Sequence, residues 1–168
     1  GVKKRKKISN ALSSVLRKWY HDEKMENYIA NHTVRGHMRE DFYRYLFSAV
    51  YTKIHNSSPR LKQFPGKLLP KHKNRDSGHY VDRFRVQNGK KPATTITSHI
   101  SKDGHYFIHY DPVQCRSLTV REAARIQTFP DNYFFAGNRT EQYIQAGNAV
   151  PPFLARQLAE IVHSIVSK

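Results

Sequence analysis

The sequence predicts an α+β fold, on three observations. Apolar residues recur three and four apart towards both ends, alternating or β-branched runs occupy the middle, and an Asp-Gly pair separates two of those runs. A chain of 168 residues suffices for one ordinary domain, or a small domain with an appendage, and can bury a core.

From Ile8 to about Ile29 the apolar residues Ile8, Leu12, Val15, Leu16, Trp19 and Tyr20 keep helical spacing, which predicts a first helix with one buried face. A second is predicted from Met38 to Ile54, where Phe42, Tyr45, Leu46, Ala49 and Val50 form a stripe against Arg39, Glu40, Asp41 and Arg44. Both stripes read as core rather than contact surface. Ser57, Ser58, Pro59, Pro65, Gly66 and Pro70 then break regularity, and Lys67 to Arg75 reads as a basic loop.

Val81 to Gln87 alternates apolar and polar residues as a half-buried strand does, and Thr94 to Ile100 is rich in β-branched residues. Asp103-Gly104 lies between that run and His105 to Tyr110, as in a hairpin whose turn wants positive φ. These segments predict a small antiparallel sheet. Thr119 stands to cap a helix starting at Val120, with Glu122 completing a capping box and Pro130 ending the segment. After Asn148 the residues Val150, Phe153, Leu154, Leu158, Ile161, Val162 and Ile165 predict a last helix that carries Pro151 and Pro152 in its first turn.

Lys and Arg number 29 against 13 Asp and Glu, a net charge of +16, and 12% of residues are aromatic. That balance predicts a polyanionic partner, and the interleaved aromatic residues favour nucleic acid over a lipid surface. Residues 1–7 form a basic lead that reads as solvated or in contact with phosphates. The single cysteine, Cys115, excludes an intrachain disulfide and a multi-cysteine zinc site. No apolar run approaches the ~20 residues a bilayer needs, so the expected location is cytoplasmic.

Two blocks carry the functional signal. Arg116 to Pro130 fits the pattern Arg-x-Leu-x-x-Arg-Glu-x-Ala-Arg-x-x-x-Phe/Tyr-Pro at nearly every defined position, and Gln142-Tyr-Ile-Gln-Ala-Gly-Asn-Ala-Val150 follows it. Together they resemble the last two motifs of the DNA (cytosine-5) methyltransferases, in which a large domain binds S-adenosylmethionine and attacks the base while a small domain reads DNA. The resemblance implies a target-recognition domain over residues 8–130 and a terminal segment over 131–168 whose helix docks on a Rossmann-like catalytic domain or subunit. Phe153, Leu154 and Leu158 would form that docking face. It further implies structural roles for Arg116, Arg121, Glu122 and Arg125, expected to act through Arg–Glu pairs, and contact with the methionine end of S-adenosylmethionine for Asn148 and Ala149. That contact belongs to the assembled enzyme; in the isolated chain Asn148 reads as the N-cap of the last helix, with no ligand.

Thr95-Ile96 is similar to the family's recognition pair, where the threonine meets the backbone near the flipped cytosine in double-stranded DNA; a plain sheet edge is the other reading. Lys71, Lys73, Arg75, Arg83 and Arg85 are further candidate DNA contacts, alongside Arg60, Lys62 and His72. The family's Phe-x-Gly-x-Gly, Pro-Cys, Glu-Asn-Val and Gln-x-Arg-x-Arg blocks are absent, and no proline precedes Cys115. The chain alone is therefore expected to be inactive, either as an excised piece, which the initial Gly1 favours, or as one subunit of a split enzyme; the resemblance also implies a restriction–modification system in a prokaryotic cell and association with DNA. Two rivals come from other classes. A stand-alone basic DNA-binding module would share the charge without needing Gly147 to Val150, and a metal-dependent nuclease is suggested by His99, Asp103, His105 and His109.

Overall fold

The computed structural model describes residues 14–25, 28–71 and 81–167. Among them, helices α1 (Ser14–Tyr20), α2 (Arg39–His55), α3 (Val120–Ile126), α4 (Arg139–Asn148) and α5 (Pro152–Val166) are joined by loops and short 3-10 turns. The chain passes in turn through two compact units. The first takes residues up to Thr33, Ile96–Ser101 and everything from Thr119; the second takes Val34–Thr95 and Lys102–Leu118.

In the first unit α3 starts as its sequence demands. The Thr119 hydroxyl accepts the Glu122 amide at 3.2 Å and the Glu122 carboxylate accepts the Thr119 amide at 2.8 Å, so two orphan donors are met reciprocally. The same device opens α4, where Asn138 and Glu141 bond each other's amides at 3.1 and 2.8 Å. Helix α4 packs on α3 and on the Ser98–Ser101 turn, with Tyr143 and Ala146 of α4, Val120, Ala123 and Ala124 of α3 and Ile100 of the turn all buried; Ile96 and Phe129 are buried in the same unit. Trp19 of α1 donates to the Thr128 carbonyl at 2.7 Å and meets Phe153 of α5 edge-on at 5.2 Å. Of the predicted first helix only Ser14–Tyr20 is described as helical; residues 8–13 lie outside the described residues.

The second unit is built on Tyr45, Leu61, Phe64, Phe84, Val86 and Ile108. Its helix α2 presents an unexpected face to that core. Tyr45 and Ala49 are buried as predicted, but Phe42, Leu46 and Val50 are exposed, and Asp41, Arg44, Ser48 and Thr52 are buried instead. These polar groups tolerate burial because most are paired: Arg44 donates to Asp41 at 2.8 Å and to the Leu68 carbonyl at 2.8 Å, and the Thr52 hydroxyl donates to the Ser48 carbonyl.

The predicted antiparallel sheet does not form. Among the described residues there is no strand, only isolated bridges at Ile108, parallel to Val86 and antiparallel to Ser117. Residues 85–87 and 107–109 exchange only a few backbone bonds, such as the Gln87 amide to the Ile108 carbonyl and the Ile108 amide to the Arg85 carbonyl, and other backbone groups are engaged locally. The Thr94 amide donates to the Gln87 side chain at 3.1 Å, Ser98–Ser101 closes a 3-10 turn, and the Asp103 carboxylate accepts the His105 amide at 3.0 Å. Gly104 does adopt positive φ, +75°, and a Cβ there would fall 2.7 Å from Ser117 Cβ. The fold class is thus corrected from α+β with a small sheet to helices, 3-10 turns and irregular segments.

Candidate functional site

Arg121 organises the arginine-rich block. It is 1% exposed, and its guanidinium donates to the carbonyls of Ala30 (3.0 Å), Pro130 (3.0 Å) and Tyr133, and to the Asn31 side chain. Burial pulls its pKa below the ordinary arginine value, with Asp131 opposing the shift and Arg125 reinforcing it. Asn31 completes the hub. At φ 58°, a conformation asparagine accepts better than most residues, it bonds Phe135 in both directions, amide to Oδ1 at 3.0 Å and Nδ2 to carbonyl at 2.9 Å.

Arg125 forms a two-pronged pair with Asp131 at 2.7 and 2.9 Å, so its carboxylate partner is an aspartate six residues on, while Glu122 serves the α3 cap. Arg116 is buried in the second unit and donates to Gln114 at 2.7 Å and to the Ser117 carbonyl at 3.0 Å. Arg121 and Glu122 thus bond backbone groups, Arg116 a side chain and a carbonyl, and the part-exposed Arg125 a carboxylate.

The terminal block lies at the end of α4. Asn148 is the last residue of that helix and Pro151 caps α5, so Asn148 is not an N-cap; its side chain is exposed. Gly147 makes a close approach to backbone. A Cβ there would fall 2.3 Å from Ser98 N and 2.4 Å from Thr97 C, so the helix backbone lies directly on the 97–98 backbone. Beside it, the buried Gln127 side chain donates towards the carbonyls of Ile96 (3.4 Å), Ala146 (3.1 Å) and Ala149 (3.3 Å). In the Thr95-Ile96 pair the threonine is exposed and the isoleucine is 1% exposed, so only Thr95 offers its side chain to a partner.

The basic candidates separate. Lys71 is exposed, Arg83 pairs with Asp103 at 2.7 Å, and Arg85 pairs with Asp82 while its guanidinium lies 5.0 Å over the Tyr106 ring. Lys73, Arg75 and His72 lie outside the described residues. Of the histidine set, His105 Nδ1 bonds the Tyr45 hydroxyl at 2.7 Å, and His109 accepts the Asp111 amide and stacks on Tyr110. Among the described residues no group of His, Cys, Asp and Glu is arranged to hold a metal ion. Burial pushes the Cys115 thiol pKa up, Asp111 adds to the rise, and the sulfur lies 3.0 Å from the Pro112 carbonyl, the opposite of an activated nucleophile.

The family model of C-5 cytosine-specific DNA methylase matches residues 2–164. This chain belongs to the C-5 cytosine-specific DNA methylase family. It is 54% identical over 99 residues to the type II methyltransferase M.Bpa9945I of Bacillus paralicheniformis, covering 59% of this chain and 22% of that protein. It is 40% identical over 92 residues to type II methyltransferase M.AgeI of Thalassovita gelatinovora (55% and 21%), and 40% over 83 residues to DNA (cytosine-5-)-methyltransferase M.ApeKI of Aeropyrum pernix (49% and 17%). The matched part is thus about a fifth of the length of these curated relatives. No solved structure matches it.

Within this methylase chain, Gln127 and Asn31 escaped the sequence reading. Gln127 occupies an undefined position of the arginine-rich pattern, and Asn31 lies 90 residues before the arginine it serves. Helix α4 was also missed, although Asn138 with Glu141 three residues later is a legible start signal.

Proposed function

We propose that this chain is the DNA-recognition and C-terminal part of a DNA (cytosine-5) methyltransferase, which transfers a methyl group to C5 of cytosine in duplex DNA. The observation that carries this reading is the packing of the arginine-rich block, from Thr119 on, against the terminal block: α3 and the 98–101 turn both pack on α4 within the first unit. S-adenosylmethionine, bound in the assembled enzyme, supplies the methyl group. The exposed Asn148 amide, both donor and acceptor, and the adjoining Ala149 backbone fit a polar ligand such as its methionine end. Thr95 would meet the DNA backbone near the target base, Lys71, Lys73 and Arg75 would neutralise phosphates, and Arg83 and Arg85 would need to exchange their carboxylate partners to do so.

The chain holds no thiolate suited to attack C6, so the nucleophile comes from a catalytic domain or subunit, and the chain alone is inactive. The exposed Leu154 and Leu158 of α5 support docking on that domain, whereas Phe153 is partly taken up by Trp19. Methyl transfer from labelled S-adenosylmethionine to duplex DNA tests the reading. Activity is expected only when this chain is mixed with a polypeptide carrying the missing motifs; activity of the chain alone overturns it, and silence in both arms reduces it to a DNA-binding module.

A further inference from the structure

We infer that Gln127 is a positioning residue that couples the recognition segment to the cofactor motif, so that DNA binding and cofactor binding become linked through it. The inference rests on the proposed function, because it takes Thr95-Ile96 as the DNA-facing pair and Asn148-Ala149 as the cofactor-facing pair.

The geometry is a latch with two parts. Gln127 terminates α3 and is 7% exposed, and its one amide group faces three backbone carbonyls, those of Ile96, Ala146 and Ala149 at 3.1 to 3.4 Å. Two hydrogens for three acceptors means that one is shared, so a shift of any of the three peptides changes the bonds to the others. The second part is steric. Gly147 sits where a Cβ would lie 2.3 to 2.6 Å from Ser98 N, Thr97 C and Ser98 Cα, all backbone atoms that cannot rotate away. Ile96 to Ser98 therefore cannot move along α4 without losing either the shared hydrogen bonds or the contact at Gly147. Thr95 is one peptide bond from Ile96, and Asn148 is one from Gly147 and Ala149. A partner that orders Thr95 thus orders Ile96, and through Gln127 the backbone of Ala146 to Ala149. Binding that rigidifies this segment once makes the second binding event easier, and the effect is reciprocal.

The test measures S-adenosylhomocysteine affinity in the assembled enzyme, this chain with its catalytic partner, with and without target duplex. Wild type should bind S-adenosylhomocysteine more tightly with duplex, within the roughly 5- to 150-fold range of coupled sites. Gln127→Met keeps the length and removes the donors; Gln127→Glu keeps the shape and replaces the donors by acceptors. Both are expected to reduce the duplex effect to below about twofold, leaving DNA-free affinity within about twofold of wild type. A duplex effect of wild-type size in either folded variant overturns the inference, including the case where affinity weakens equally with and without DNA, since Gln127 then only supports the fold. If neither variant folds, amide exchange in the wild-type assembly decides: S-adenosylhomocysteine should slow exchange at Thr97 to Ile100, and unchanged exchange there overturns the coupling. Wild type that binds both ligands without linkage sinks only the role of Gln127, whereas an assembly that binds neither sinks the proposed function itself.

Discussion

The guanidinium of Arg121 is met by three carbonyls from two separate stretches of chain, at Ala30 and at Pro130 and Tyr133. Lysine carries one compact ammonium in place of that planar fork, so Arg121→Lys leaves at least two buried acceptors unmet at about 1–3 kcal/mol each. A loss of about 2–5 kcal/mol in urea unfolding is expected, and an unchanged midpoint would contradict the hub. At Gly147 a methyl group meets backbone rather than a side chain that can swing aside, so Gly147→Ala should destabilise by about 1–3 kcal/mol or more, read by thermal unfolding of the chain alone. The arginine-rich block was legible as a motif from its sequence, but the partners of its side chains were not. Asp131 lies just beyond the matched block and Asn31 far before it, and no spacing rule connects a guanidinium to a carbonyl 91 residues away. The same holds for Gly147: its motif marks a close approach without saying to what.

Helix α3 was legible in full because its signals are local, a capping threonine, Glu122 three residues later and a terminating proline. Thr119→Ala removes the cap and should cost about 1 kcal/mol, measurable by urea titration with Glu122→Ala as the reciprocal control. Helix α2 was legible in extent but not in orientation. Its two stripes overlap by one helical step, and which one is buried depends on whether Asp41 and Arg44 find partners, a tertiary fact. The sheet failed for a related reason. β-branched residues favour extended backbone but do not choose a pairing partner, and here side chains of Gln87 and Asp103 take the amides first. Helix α5 carries exposed Leu158, so Leu158→Glu should leave the unfolding midpoint of the chain within about 0.5 kcal/mol of wild type. The same substitution should abolish complementation in the methyl-transfer assay; retained activity would remove α5 from the docking surface.

For the molecule as a whole, acid is the condition that should weaken the second unit first. Burial holds His105 below the ordinary histidine pKa, against the pull of Asp103 and Asp41 and with Arg83 and Arg44 reinforcing. The unfolded chain then takes up that proton before the folded one, so stability present above about pH 6.5 falls as the pH drops below it. Burial pushes Asp103 upward, but the His105 amide and charge and the Arg83 pair outweigh it, and its net lowered pKa removes further stability as pH falls below the ordinary aspartate range. Thermal unfolding across pH 3.5–8 checks both, using about those bounds; a midpoint that rises on acidification would contradict the assignment. The +16 net charge predicts duplex binding by the isolated chain whose log K falls by about 0.9 per phosphate neutralised for each tenfold rise in salt, and salt-independent affinity would argue against a phosphate-led contact.

The chain leaves its first unit after Thr33, returns for only six residues at Ile96–Ser101, and returns for good at Thr119. A transplant that exchanged everything between those points for the corresponding stretch of a relative, as a route to a new target sequence, would carry those six residues with it. Its success then depends on whether the incoming stretch presents a carbonyl to the resident Gln127 and a bare backbone to the resident Gly147. Exchange of specificity by wholesale replacement is therefore constrained at one short thread, and compatible donors should be recognisable by that thread before any DNA-contacting residue is considered.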